Sequence, residues 1–370
     1  MPKTFLIAPV GLGVGASSVC AAIIKTALEN GLPVGFFLPV KQRSNTMGDF
    51  LSVQPVLSRL ALAHFLHQSE DHVVNELVEA YKERLVNDRE RLGEVTLVLG
   101  LSVDKGTPNA EKINAKLARA LSAEVILVGS GTADDLTMLN SRLDIAMEAF
   151  GLVSIPVVGI ILNKLGAPRD RHGTLRPEKA AMQSAEKNYA NLTHLPVIQE
   201  KAIPLLGAIP WSIDLIAPKV TDLDRFFSIV WLNEGNKSQR IRNIHLGCSL
   251  DEHFDQAVGN LLVTTADRLD LIEAALNQAS HISGILLSGG LSDLAHESHR
   301  RYLVLKQAKQ LSVPILQSHE PLLSLVWQLQ RVFNPNPSDN ALNAQVQDFC
   351  SAHLDTASIL AVLTGLSHKG

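Results

Sequence analysis

Cysteine is scarce: Cys20, Cys248 and Cys350 are the three in 370 residues, far apart and without a CxxC pairing. That excludes a disulfide framework and a cysteine zinc site, and fits a reducing compartment with small buried thiols. Excess charge of one sign is also missing. The formal net charge is −4 and no basic stripe occurs, so nothing favours nucleic acid or an anionic membrane surface. No apolar run reaches the roughly 18–20 residues that a spanning helix needs; the longest, Gly151 to Leu162, reads as a loop entering a buried strand. Met1-Pro2-Lys3-Thr4-Phe5-Leu6-Ile7 holds one charge and a short apolar run, a first strand rather than a signal peptide. The expectation is a soluble, cytoplasmic protein with no nucleic-acid or membrane partner. Internal repeats and low-complexity segments are absent too.

Hydrophobic residues make up 46% and charged ones 19%, enough apolar side chain for two or three cored domains and too little charge for a disordered chain. Short apolar runs alternate with longer helical patterns. Strands are expected at Thr4–Ala8, Val34–Val40, Thr96–Gly100, Glu124–Gly129, Val157–Leu162 and Pro204–Pro210. Helices are expected at Ser17–Asn30, Thr46–Gln68 and Glu70–Leu92. This rhythm predicts an α/β fold with a mostly parallel sheet and helices on both faces. From Gly166 to about Leu195 the composition turns polar and reads as an exposed insertion carrying one helix. Near Asn233-Glu234-Gly235-Asn236 the chain turns loop-like, and a boundary at 235 is expected. A smaller α/β domain over 236–355 would follow, with strands at Asn243–Leu246, Asn260–Thr264, Ile282–Leu287 and Val313–Leu316. Residues 356–370 read as a linker.

The strongest local signal is Ala8-Pro9-Val10-Gly11-Leu12-Gly13-Val14-Gly15-Ala16-Ser17-Ser18 between the first strand and first helix. Glycines there let backbone N–H groups converge on an anion at a helix N-terminus. A working phosphate loop adds a lysine after its last glycine and a hydroxyl to hold Mg²⁺. Here the lysine position is Ala16, while Ser17 and Ser18 keep the hydroxyl. One lost charge-assisted hydrogen bond weakens phosphate binding by roughly ten- to a hundred-fold, and phosphoryl transfer depends on such charges. Gly11, Gly13 and Gly15 are therefore either a tight turn or a weak anion or nucleotide seat, and not a hydrolytic site.

Asn163, followed by Lys164 at a strand end, could present an amide to a purine edge or cap the following loop. Asp267 and Arg268, with Ser288, Gly289 and Gly290, end two neighbouring strands, where open α/β sheets bind ligands. An Asp-Arg structural ion pair is the equal alternative. His64 with His67, and His296 with His299, lack the further ligands of a metal centre and read as helix surface. Lys237 to Arg242 reads as a solvated basic linker.

From the loop onward the first domain resembles the ATP-dependent dethiobiotin synthetase family. That family has a lysine after the loop, a Lys-Pro-Val on its second strand and an acidic residue before glycine on a later strand. The matching positions here are Ala16, Leu38 of Leu38-Pro39-Val40, and Leu99 before Gly100. Three charged groups for ATP, Mg²⁺ and substrate are missing together, so the resemblance implies an inherited fold without synthetase chemistry.

A longer resemblance is to the N-terminal region of the long bacterial phosphate acetyltransferases. It rests on Leu162-Asn163-Lys164-Leu165-Gly166-Ala167-Pro168 with Gly173 and Arg176-Pro177, and on Leu206-Gly207-Ala208-Ile209-Pro210-Trp211-Ser212-Ile213-Asp214-Leu215-Ile216-Ala217. Asn233-Glu234-Gly235, Leu261 to Arg268 and Leu286-Leu287-Ser288-Gly289-Gly290 continue it. In that family a degenerate synthetase-like domain precedes a small domain named for Asp-Arg and Thr-Gly-Gly, here with Ser288 at the Thr position. The family's C-terminal domain makes acetyl phosphate and CoA from acetyl-CoA and phosphate. This chain stops before such a domain, as an excised part or as a stand-alone regulatory relative. The resemblance implies a non-catalytic regulatory and assembly module of an oligomer, whose partner is its own catalytic domain and whose effectors are small molecules. It requires no cofactor; a weak nucleotide or NADH effector is the expectation. The alternative is a stand-alone nucleotide- or metabolite-sensing module.

Overall fold

The computed structural model describes residues 2–40, 55–58, 62, 69–87, 94–102, 109–131, 136–152, 154–168, 194–247, 258–289, 298–329, 332–333 and 340–365. Two compact units emerge. One holds Met1–Ala167, Glu186–Trp211 and Pro337–Gly370; the other holds Pro168–Ala185 and Ser212–Asn336.

In the first unit six parallel strands are described: β1 (Lys3–Pro9), β2 (Val34–Phe37), β3 (Val95–Leu99), β4 (Glu124–Gly129), β5 (Val157–Leu165) and β6 (Leu205–Pro210). Their order is β2-β3-β1-β4-β5-β6. Strands buried on both faces read as continuous aliphatic runs, as these do. Alternate residues feed two cores. Leu6, Phe37, Val98, Leu127 and Ile160 pack with α2 (Glu70–Asn87), α3 (Ala110–Ala120) and α4 (Leu136–Gly151). Phe5, Ile7, Leu97, Ile126 and Ile161 pack with α1 (Ala16–Glu29). After β1 the chain turns towards β2, and after β4 it turns the other way, towards β5. The carboxyl ends of β1 and β4 therefore flank the reversal of strand order, where such sheets open a crevice.

A short helix α5 (Pro196–Glu200) precedes β6. Of the helix expected over Thr46–Gln68, residues 55–58 are not helical and Leu57 bridges Val40. Pro55 explains the break, since it lacks an N–H and clashes with the preceding turn. Apart from 55–58 and Leu62, that segment lies outside the described residues, as do His64, His67 and most of the polar insertion.

The remaining helices among the described residues of this unit come from the far end of the sequence: α9 (Asn340–Ala352) and α10 (Thr356–Thr364). Contacts run 21 to 347 and 26 to 351, so α9 lies parallel to α1: Gln347 Nε2 donates to the Ala21 carbonyl (3.0 Å), and Thr26 and Ser351 share a hydroxyl hydrogen bond (2.8 Å). Lys25 also pairs with Asp348. Cys350, Leu354, Ile359 and Leu363 are buried in the α1-side core. Between α9 and α10 the chain covers the edge of β6: Asp355 N donates to Leu206 O (2.8 Å) and Ala208 N to His353 O (3.3 Å). Gly207 permits that approach, because a Cβ there would lie 2.7 Å from Leu354 Cδ2. The linker expected over 356–370 is thus corrected at 356–364, a helix capped by the Asp355 side chain.

The second unit has β7 (Ile229–Asn233), β8 (Asn243–Leu246), β9 (Asn260–Thr265), β10 (Ile282–Ser288) and β11 (Ile315–Ser318), in the order β7-β11-β10-β9-β8. All its pairs are parallel except β7 with β11. On one face α6 (Leu269–Asn277) and α7 (Ser298–Gln310) pack through Leu271, Ile272, Val304 and Ala308. On the other, a 3₁₀ turn at Val220–Arg225 and α8 (Leu322–Leu329) contribute Val220, Leu223, Leu325 and Leu329. The boundary expected at 235 falls instead at 211/212. Asn236 N donates to Ser312 O (2.8 Å) and Asn233 Nδ2 to Val313 O (2.6 Å), so the Asn-Glu-Gly-Asn stretch is pinned inside the unit. The basic run is pinned as well: Lys237 lies over the Trp231 ring, Arg240 donates to Ala217 O (2.8 Å) and Arg242 pairs with Asp214.

Candidate functional site

The loop after β1 places Gly11, Gly13 and Gly15 at φ 101°, 63° and 79°, the left-handed region open to glycine. Gly15 caps α1 without a side-chain hydrogen bond, and no acid stands in the first turn. The N-terminal amides of α1 therefore point past the loop with the positive end of the helix dipole. Ser17 and Ser18 stand half-buried in that first turn.

β5 holds this loop from the side. A register shift between Leu162 and Leu165 marks an irregularity at Asn163-Lys164, and Lys164 takes φ 55°. Asn163, buried, donates from Nδ2 to Val14 O (2.9 Å) and Gly15 O (3.4 Å), while its Oδ1 accepts from Lys164 N (2.8 Å). Lys164 Nζ donates to Gly13 O (2.8 Å). Three successive loop carbonyls are thereby tied to one strand end. A Cβ on Gly15 would meet Asn163 Nδ2 at 2.6 Å, so the clamp demands glycine there. Both polar ends of the Asn163 amide are engaged, its donor on the earlier glycine loop rather than on the loop that follows β5. The role of Lys164 escaped sequence reasoning, because its conformation depends on the β5 irregularity.

The positions where a synthetase keeps charge are apolar and buried: Ala16 (4% exposed), Leu38 (4%) and Leu99 (1%). All three share one core cluster with Val14, Val19 and Cys20. Beyond β3, Gly100 N donates to Ile7 O (2.9 Å), and buried Asn114 holds Leu101 through both its N–H and carbonyl (2.8 and 2.9 Å). Asn114 was not singled out from the sequence; a lone asparagine inside an apolar helix face is its only signal. Burial pushes the Cys20 thiol up, and pushes Cys350 up to about 12 against the opposing pull of Lys164.

In the second unit Thr265 and Ser288 face each other across β9 and β10, which brings Asp267, Ser288 and Gly289 to neighbouring strand ends. Ser288 Oγ donates to Glu320 O (2.8 Å), and Gly289, at φ 87°, accepts from Gln317 Nε2 (2.9 Å). Arg268 turns away to a bidentate pair with Asp270 (2.9 and 2.7 Å), whose carboxyl this guanidinium holds down at about 2. The guanidinium thus pairs with Asp270, and Asp267 is exposed. Gly290 and His296 lie outside the described residues, and His299 is exposed on α7. Among the described residues no three His, Cys, Asp or Glu side chains converge as metal ligands, and no helix is long and apolar enough to cross a membrane.

A family model described as "AAA domain" matches residues 3–219. The phosphate acetyltransferase of Haemophilus influenzae is 31% identical over 313 residues, covering 78% of this chain and 43% of that protein. That of Pseudomonas aeruginosa is 30% identical over 372 residues, covering 95% and 51%. The Escherichia coli enzyme is 29% identical over 317 residues, covering 78% and 43%. The chain spans about half the length of the curated relatives it matches. With its six-stranded parallel sheet and glycine loop, the chain belongs to the AAA domain family and is related to the N-terminal region of phosphate acetyltransferase.

Proposed function

We propose that this region is a regulatory and assembly part of a phosphate acetyltransferase, and that acetyl transfer between CoA and phosphate takes place elsewhere in such an enzyme. One observation carries the non-catalytic reading: Ala16, Leu38 and Leu99 are buried together in one apolar cluster. Phosphoryl transfer needs cations and a metal-holding acid at these places, and this core has closed over them. The second unit is assigned to the small domain type named for Asp-Arg and Thr-Gly-Gly, with Ser288 keeping the hydroxyl.

The test is an assay of this chain with acetyl phosphate and CoA, and with ATP. Neither acetyl-CoA nor ADP should form above background. Robust turnover of either would overturn the reading.

A second reading is a metabolite sensor, favoured by the three left-handed glycines and the uncapped first turn of α1. Asn163 has no free amide edge for a base, so such a ligand would be held through its phosphate or carboxylate. Calorimetry with ATP, NADH and pyruvate up to millimolar levels tests this. No heat with any of them leaves the loop as scaffold.

A further inference from the structure

We propose that the basic face of α7 docks on the acidic face of α2 in a second copy of the chain. The inference deepens the assembly role proposed above and rests on it. α7 has the sequence SHRRYLVLKQAKQ, with four lysines and arginines and no acid, in a chain whose net charge is −4. Its solvent face presents His299, Tyr302, Leu303, Lys306 and Lys309. Tyr302 is 62% exposed and Leu303 48%, an apolar strip beside the two ammonium groups. Arg300 is occupied by Glu273 within its own unit (2.8 Å). Lys306 and Lys309 make no ion pair among the described residues.

α2 is the counterpart. Over Glu70–Asn87 it carries five acids against Lys82 and Arg84. Glu70 and Asp71 are held by Lys116 (3.0 and 2.7 Å), and Glu79 touches Lys82 (2.7 Å). Glu76 and Glu83 make no ion pair among the described residues, and Val86 beside them is 81% exposed. Glu76, Glu79, Glu83 and Val86 follow gaps of three, four and three, and so do Lys309, Lys306, Tyr302 and His299 read backwards. Positions three, four and seven apart share one helix face. Two antiparallel helices in this register set Lys309 against Glu76 and Lys306 against Glu79. The Tyr302 hydroxyl then meets Glu83, and the His299 ring covers Val86.

The two faces differ, so the contact is head-to-tail and each copy offers both halves. A single pair of helices buries less than a standard interface of about 800 Å² per partner. The association is accordingly weak, concentration-dependent and sensitive to salt.

Sedimentation velocity on the whole chain, across protein concentration and at low and high salt, tests the proposal. Circular dichroism confirms that each variant folds. Lys306→Glu with Lys309→Glu is expected to weaken self-association at least ten-fold, as is Glu76→Lys with Glu79→Lys. An equimolar mixture of the two variants is expected to associate where neither does alone, since the reversed faces again match. If both variants associate like the parent, or the mixture stays monomeric, this surface is wrong while the assembly role stands. A parent that is monomeric at every concentration overturns both.

Discussion

Asn163 donates its amide to the Val14 carbonyl at 2.9 Å, so a residue 149 positions further along the chain holds the glycine loop. This clamp, with Lys164 on Gly13 O, ties the loop to the end of β5. Asn163→Ala removes a buried donor facing two carbonyls and is expected to cost about 1–3 kcal/mol in urea unfolding. Asn163→Asp should cost more, because a carboxylate would face the Val14 and Gly15 carbonyls. An aspartate variant as stable as the parent would show that the clamp carries no weight.

Restoring a lysine to the loop should not restore chemistry. Ala16 is buried against Leu38 and Leu99, so Ala16→Lys forces a charge into an apolar core with no partner. The expected loss is on the order of 3 kcal/mol, read as a lowered thermal midpoint, with ADP release unchanged from background. ATP turnover by this single variant would falsify the view that three positions changed as a unit.

The C-terminal helices should behave as part of the first unit. Leu363→Ala opens a cavity at a 1% exposed site on α10, at a cost of about 2–4 kcal/mol. Ending the chain after Asn336 uncovers the apolar face of α1 and the edge of β6. Size-exclusion chromatography should then find aggregated rather than monodisperse protein. A well-behaved truncated protein with native circular dichroism would refute the packing.

How much of this was legible depended on how far away each residue's partner lies. β1, β3, β4 and β5 are aliphatic runs buried on both faces, and the glycine loop is punctuated locally, so both could be read directly. β7 is different: Ile-Val-Trp-Leu-Asn looks like connecting chain until β11 pairs with it in the opposite direction. The α9 face is matched by α1, more than 300 residues earlier, so a docked helix pair reads like a tail. For the same reason the boundary at 235 was misplaced. Nothing local distinguishes a linker from a strand end whose Asn233 and Asn236 bond to residues 312 and 313. At the site, the glycines and Asn163 were visible as residue types, whereas the reach of Lys164 to Gly13 follows from a strand irregularity.

The two described thiols supply a pH signature. Burial raises both Cys20 and Cys350 above the ordinary thiol value of roughly 8.5. A thiol whose pKa is raised by folding stabilises the native state fully below its unfolded pKa, and that contribution declines as pH rises through and above it. Denaturant midpoints should therefore fall between about pH 8.5 and 10.5, and Cys20→Ala with Cys350→Ala should flatten that slope. In the native protein both sulfurs should react with a disulfide reagent far more slowly than in urea. Rapid native modification would contradict their burial.

In sequence, one unit interrupts the other: the chain leaves the first unit after Trp211 and returns to it only at Pro337. During synthesis the apolar flank of α1 must wait for about three hundred intervening residues before α9 and α10 can cover it. The second unit, whose described strands all lie between 229 and 318, is complete earlier. Of the two units, the one that starts first is thus finished later, and a stalled or shortened nascent chain would expose its sticky side first.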